Sequence, residues 1–403
     1  MSRPSKVLVT GMGVVSPIGD NCGAFWLSLM SGRCGVAPIR SFDAAPFPVH
    51  IGCEVPASVW LAASDHSPPP GRTTRLAATA GLQAIRQAGI DGDDLASTAL
   101  CVGTTMGESC WIEGWPEDLV RNDTFPAEEL MHSGPDEVGL RTAALLGLEG
   151  RVTTVAGACA AGNYAIGLGL DLIRSGRSER VLAGGADAFS RVAFTGFGCL
   201  GALTATACRP FSADRDGIVL GEGAGMLVLE SLESARRRSA LPLAEVAGYG
   251  LSSDAHHIVR PTPDGDGMVR AMRAALQDAG RSPDDVDYVC AHGTGTPAND
   301  RAEAAAVSAL FGADLAKAPP MSSIKALTGH GLGAASALEA IACVLALQHE
   351  TIPPTWNFRE LDPNAAWDVV PNAPRPQSLH VVLNNAAAFG GNNSAVVFVR
   401  PSE

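Results

Sequence analysis

The feature that most constrains this chain is an alternation, run through twice, of short β-branched segments with longer alanine-rich ones. Val7 to Val15, Thr98 to Gly103, Arg151 to Val155 and Arg180 to Ala183 read as buried strands. Between them, Arg75 to Ala88, Glu137 to Leu146 and Ala160 to Ser175 place apolar residues at helical spacing. Strands that alternate with helices need crossover connections, which implies a largely parallel sheet covered on both faces. After Pro242 the pattern restarts with a strand near Ala244 to Leu251 and a helix near Gly267 to Ala279. Val286 to Ala291, Ala302 to Leu310 and Gly333 to Gln348 follow. Each half closes on a pair of apolar runs, Val181 to Ala188 with Gly223 to Leu229, and His380 to Asn385 with Ser394 to Val399. The repeat lies in pattern rather than residue identity. It predicts two stacked α/β halves meeting in one core, residues 1–240 and 241–403, with the boundary near 232–245. Two stretches fit neither half: 41–70, rich in Pro and Ser, and 107–134, which carries Trp111, Trp115 and Phe125. Insertions of that length are either functional, interfacial or plain surface loop.

Composition narrows the function classes. Among 403 residues, 46% are apolar and 18% charged, which fits a compact enzyme rather than a disordered chain. The net charge is −13 and the longest basic run is Arg236-Arg237-Arg238, so neither nucleic acid nor a membrane surface is an expected partner. Ten cysteines are scattered through apolar segments, as at Cys101, Cys290 and Cys343, without disulfide-scaffold spacing. They are expected to be reduced, in a cytoplasmic protein. No Cys or His cluster has zinc-ligand spacing, and no structural metal is expected. No apolar stretch reaches about 18 residues uninterrupted, so no membrane span is expected.

Four segments carry chemistry. Val155-Ala-Gly-Ala-Cys159-Ala-Ala-Gly162 joins a strand to a helix through small residues, placing Cys159 at a helix start where the dipole favours thiolate and the amides face a developing oxyanion. Alone, such a cysteine is as well read as a packed core thiol. Cys290-Ala-His292-Gly-Thr-Gly-Thr-Pro297 runs from strand into a glycine-rich turn, where an α/β fold presents side chains to a ligand. His292 there can act as acid, base or oxyanion donor, and Thr294 and Thr296 can bond an amide-bearing arm. Ser322-Ser-Ile-Lys325-Ala-Leu-Thr-Gly-His330-Gly-Leu-Gly333 repeats the device in the second half. Lys325, one of three lysines, is placed to pair with Glu303 and hold the histidine turns, unless that pair is a surface one. Asn384-Asn-Ala-Ala-Ala-Phe389-Gly-Gly391-Asn-Asn393 sets an aromatic beside flexible backbone, as a pocket gate or as a tight hairpin.

With Arg209-Pro-Phe-Ser-Ala-Asp-Arg-Asp216-Gly and Val219-Leu-Gly-Glu-Gly-Ala-Gly225, these segments resemble the β-ketoacyl-acyl-carrier-protein synthases of the elongating type, over nearly the whole chain. The type II polyketide ketosynthases are included in that resemblance. It implies a thiolase-like fold, two duplicated α/β halves in a five-layer αβαβα core, working as a homodimer or as a heterodimer with a ketosynthase-like chain-length factor. It further implies that Cys159 takes an acyl chain from an acyl carrier protein, while His292 and His330 assist malonyl decarboxylation. By the same resemblance, the Cys159 and Phe389 amides form the oxyanion hole and Phe389 gates the acyl pocket that Met106 lines. Thr294 and Thr296 hold phosphopantetheine, with no other cofactor, and Arg72, Arg75 and Arg209 dock the acidic carrier. The chain departs from the family at Ala386 to Ala388, before the gate, and at Gly331 and Ser336, where an altered pocket is expected. A thiolase would need a second cysteine near the C-terminal glycine loop, and none lies between Cys343 and Glu403. Initiating and chalcone-type synthases pair cysteine with His and Asn, whereas the third position here is His330. A non-elongating, chain-length-factor-like partner role is, with a thiolase-type acyltransferase, the alternative reading, and the presence of Cys159 disfavours that role. The altered gate and the aromatic insertion lean toward a specialised polyketide pathway over fatty-acid synthesis.

Overall fold

The protein is represented by a computed structural model, in which residues 6–56, 69–113, 121, 133–312, 314, 318–365 and 367–401 are described. Most of the 107–134 stretch, including Trp115 and Phe125, and part of 41–70 lie outside the described residues.

Ten strands carry the fold: β1 Val7–Val15, β2 Ala99–Thr104, β3 Val152–Ala156, β4 Arg180–Asp187, β5 Gly223–Ser231, β6 Ala244–Ser253, β7 Tyr288–Cys290, β8 Met321–Ser322, β9 Val381–Ala388 and β10 Asn392–Val399. They hydrogen-bond in the order β8-β7-β9-β10-β6-β1-β5-β4-β2-β3. The first five run 3-2-4-5-1 in chain order, and the second five, renumbered from β6, run 3-2-4-5-1 again. The pairing senses repeat too. β4–β2 and β2–β3 are parallel and β1–β5 and β5–β4 antiparallel, as are their counterparts around β9. Among the described residues, two residue pairs, Leu8 with Glu245 and Val9 with Ala244, join the five-strand sets.

Helices make this a five-layer αβαβα sandwich. Arg72–Ala88 and Pro135–Leu146 cover the first sheet, Asp266–Asp278 the second, and Ala161–Arg174 and Ala335–His349 lie between, each touching strands of both halves. Three apolar clusters fill the layers; the largest unites Ile166 and Leu170 with Ile341, Val344, Val246 and Phe398. The stretch Leu332–His349 has the length and mean hydropathy, 1.4, of a membrane span, yet 89% of it is buried as the central-layer helix.

Glycine allows the close contacts. A Cβ on Gly13 of β1 would stand 1.9 Å from the Ala80 carbonyl oxygen, so Arg72–Ala88 lies directly on the strand. That helix begins three residues before the sequence pattern does. The buried carboxylate of Glu108 accepts from the Thr73 and Thr74 amides and caps it from outside.

Both central helices are reached by the same device. After β3 a tight turn at Ala158–Ala160 leads into Ala161–Arg174, and in the second half Leu332–Ala334 leads into Ala335–His349. Each turn starts on a non-glycine residue in the left-handed region, Ala158 at φ 47° and Leu332 at φ 53°. Strain of this kind, of order 1–3 kcal/mol, persists where the surroundings over-determine it. Cys159 occupies the middle of the first turn and Gly333 the middle of the second.

Candidate active site

The turn after β3 places Cys159, 5% exposed, at the floor of a cavity of about 350 Å³. His292 enters the cavity from the end of β7 and His330 from the turn after Lys325–Thr328. Phe389, Phe197, Thr294 and Thr296 complete the inner lining. Residues far apart in sequence, Cys159, His292, His330, Thr294, Thr296 and Phe389, therefore share one space.

Hydrogen bonds fix both imidazoles in the same tautomer. The Leu332 amide donates to His330 Nδ1 at 3.1 Å, and Lys325 Nζ lies 3.3 Å from His292 Nδ1. In a neutral ring that leaves the proton on Nε2, so each histidine has a donor left for the cavity. The rings lie 5.4 Å apart, nearly perpendicular. Burial, reinforced by the Lys325 charge, holds His330 down at about 3 and His292 well below the usual imidazole range, so both are neutral donors at pH 7. Two such donors aimed into one space can stabilise an oxyanion or an enolate.

The Lys325 ammonium also donates to the His292 carbonyl oxygen at 2.5 Å and to Glu339. The expected pairing with Glu303 is thus corrected: Lys325 meets Glu339 of the helix Ala335–His349. Glu303 instead accepts from the His292 and Gly293 amides, each at 2.7 Å, and from Asn385 at 2.7 Å. It still steadies the His292 turn, but through backbone, because the helix Pro297–Phe311 starts directly under that turn. Glu339, raised to about 7 by burial and opposed by Lys325, escaped the sequence reading. An acidic residue inside an otherwise apolar helix was the available signal, since a buried charge needs a partner.

Cys159 also departs from expectation. Burial pushes the Cys159 thiol up to about 12, outweighing the nearby Lys325 charge, while Asp187 and Glu339 push it further up. Cys159 is therefore a thiol at neutral pH, not the thiolate expected from the helix dipole. Asp187 is fully buried and accepts from Thr104 Oγ1, from the Thr105 and Met106 amides and from the Gly333 amide, at 2.6–2.9 Å. It ties the Met106 turn to the turn that follows His330.

Met106 is not part of the cavity lining. It packs behind it, with Phe42, Phe47, Phe189, Phe194 and Phe197, in a cluster whose aromatic rings stack and meet edge-on. Phe197 connects that cluster to the site, 5.3 Å from Phe389 and 6.4 Å from His330. Ser336 is also away from the cavity. Its Oγ accepts from the Asn163 amide where the central helices cross. Ala387 and Ala388 do line the cavity, just before Phe389.

Thr294 and Thr296 hydroxyls lie 3.0 Å apart, and Thr296 also accepts from the Asn299 amide as the cap of the helix Pro297–Phe311. The arginines assigned to docking are largely engaged elsewhere. Arg72 is bonded to the buried Glu222, and Arg209 is 8% exposed, 3.6 Å from Asp214 and 3.8 Å from Asp216. Arg72 is held by an acid far along the chain, and Arg209 by Asp214 and Asp216 of its own turn and by the Thr206 hydroxyl. Arg75 borders a second surface hollow and donates to the Pro70 carbonyl.

A thiolase-type fold with a buried cysteine facing two neutral histidines defines a condensing acyltransferase. The chain belongs to the β-ketoacyl synthase family: the family's N-terminal domain matches residues 4–235 and its C-terminal domain residues 243–359. It is 42% identical to Nodulation protein E of Rhizobium leguminosarum bv. trifolii, over 98% of each chain. It is 39% identical to the tetracenomycin polyketide synthase ketoacyl synthase alpha subunit of Streptomyces glaucescens, over 99% of this chain and 98% of that one. Among solved structures, the ishigamide ketosynthase/chain length factor superposes with a TM-score of 0.94 at 42% identity, covering 99% of this chain and 100% of that one.

Proposed function

We propose that the chain elongates a Cys159-bound acyl group by decarboxylative condensation with a malonyl unit on acyl carrier protein, as the catalytic subunit of a type II polyketide-like system. The observation that carries this reading is the convergence of Cys159 with two Nε2–H donors in one buried cavity. The Cys159 thiol attacks the acyl thioester carbonyl, the bond from the acyl group to the carrier sulfur breaks, and the thiol proton passes to the departing carrier sulfur. A malonyl thioester then loses carbon dioxide, and the enolate oxygen takes hydrogen bonds from His292 and His330. The enolate carbon attacks the acyl group, breaking its bond to Cys159 and releasing the sulfur as a thiolate, which takes a proton from solvent to restore the thiol.

The specialised pathway draws support from relatives named for nodulation and for tetracenomycin assembly. A carrier partner is supported by a solved type II acyl-carrier protein in complex with its ketosynthase, 30% identical with a TM-score of 0.90. A second ketosynthase-like chain is supported by β3, the last strand of the sheet, which pairs with β2 on one side and is only partly buried. An added strand there would continue the ladder.

Intact mass spectrometry after incubation with acyl-carrier proteins tests the proposal. The wild type is expected to gain one acyl group and Cys159→Ala none. Acylation of the alanine variant would overturn the nucleophile, and undiminished carbon dioxide release by His330→Ala would overturn the enolate assignment.

A further inference from the structure

The exposed and half-buried part of the cavity lining, its mouth, includes Asp216, Asp254, Val259, Arg260 and Pro261. Arg260 is the one lysine or arginine among the lining residues described. It is exposed, and among the described residues no hydrogen bond or ion pair engages its guanidinium. The two acids beside it are already occupied. Asp216 faces Arg209 at 3.8 Å, and Asp254 accepts from Asn393 Nδ2 at 2.7 Å and from the Thr262 amide at 3.1 Å.

The turn that bears Arg260 is also fastened to the Phe389 turn. The Gly390 amide donates to the Ile258 carbonyl at 2.8 Å, and the Asp254 amide to the Gly391 carbonyl at 2.9 Å. Pro261 further restricts the Arg260 backbone. The cavity thus carries an uncommitted cation on an exposed, well-anchored turn and a buried thiol, with Thr294 and Thr296 in the same lining.

We propose that Arg260 binds the phosphate of the phosphopantetheine arm, fixing its outer end while Thr294 and Thr296 meet its amides. This rests on the carrier-dependent reading above. The chemistry fits one anion to one cation: the arm is neutral along its amides and carries its charge on the phosphodiester, which a guanidinium grips through two parallel N–H groups. It also gives the chain a cation for carrier recognition at the mouth without the acidic partners that engage Arg72 and Arg209.

The test measures Cys159 acylation from three thioesters of the same acyl group: pantetheine, phosphopantetheine and acyl-carrier protein. For the wild type, the phosphopantetheine thioester is expected to exceed the pantetheine thioester by about tenfold in kcat/KM, the scale of one charge-assisted contact. Arg260→Gln should erase that advantage, lowering kcat/KM for the phosphopantetheine and carrier thioesters while leaving the pantetheine thioester within about twofold. Arg260→Lys should restore part of it. Equal loss on all three thioesters, or no loss on any, overturns the assignment. Loss with the carrier alone places Arg260 against the carrier protein rather than the phosphate, and overturns it too. A wild type that uses all three equally overturns this inference and leaves the condensing reaction standing. A wild type acylated by none overturns both.

Discussion

Lys325 has three N–H donors and three acceptors around it: the His292 carbonyl, His292 Nδ1 and Glu339. Removing one member of a buried pair leaves the other charge uncompensated, at a cost of about 3–5 kcal/mol. Lys325→Met is therefore expected to lower the urea midpoint sharply and to free the His292 ring. The double variant K325M/E339L should regain most of the stability and none of the condensation. At His330 the sign of the pH effect follows from a folded value near 3 against an ordinary 6.5. The unfolded chain binds the proton first, so stability is full above about 6.5 and is lost as pH falls toward about 3, by about 1.4 kcal/mol per unit. His330→Asn should flatten that part of the acid-unfolding profile, read by circular dichroism against pH.

At the scale of elements, the crossing of Ala161–Arg174 with Ala335–His349 governs how close Cys159 comes to the second half. A Cβ on Gly162 would stand 2.7 Å from the Ala337 backbone nitrogen, which has no flexible end to yield. Gly162→Ala is expected to destabilise by about 1–3 kcal/mol and to reduce Cys159 acylation, measured together by denaturant titration and intact mass. The strands and helices themselves were readable from periodicity, and most boundaries in the structure fall within three residues of the pattern. The gathering of Cys159, His292, His330 and Phe389 was legible through the family resemblance, each at a small-residue turn, three of them directly after a strand and His330 after the short helix Lys325–Thr328. What the sequence withheld depends on crossings between elements. Lys325 reaches Glu339 rather than Glu303 because of where the central helix passes. Ser336 faces Asn163 instead of the cavity, Met106 packs into an aromatic cluster, and Arg72 is drawn to Glu222. None of these pairings leaves a periodic trace.

For the whole molecule, the central layer belongs to both halves. Its apolar cluster draws on both central helices and on β1, β4 and β5 as well as β6, β9 and β10. Neither half can keep that layer dry alone, so unfolding is expected to be a single transition, with near- and far-ultraviolet circular dichroism coinciding. Separate transitions would show that the two halves hold together independently.

The two turns that feed the central layer give the fold two equivalent seats for a reactive side chain, and it can fill only one. At Gly333 a Cβ would lie 2.6 Å from Asp187 Oδ2 and 2.8 Å from the Thr104 Cα, so the second seat is closed to any side chain at all. A molecule nearly symmetric in its backbone is thereby made handed in its chemistry. An attempt to arm it twice, with a second thiol at residue 333, would have to displace the carboxylate that keeps the seat empty.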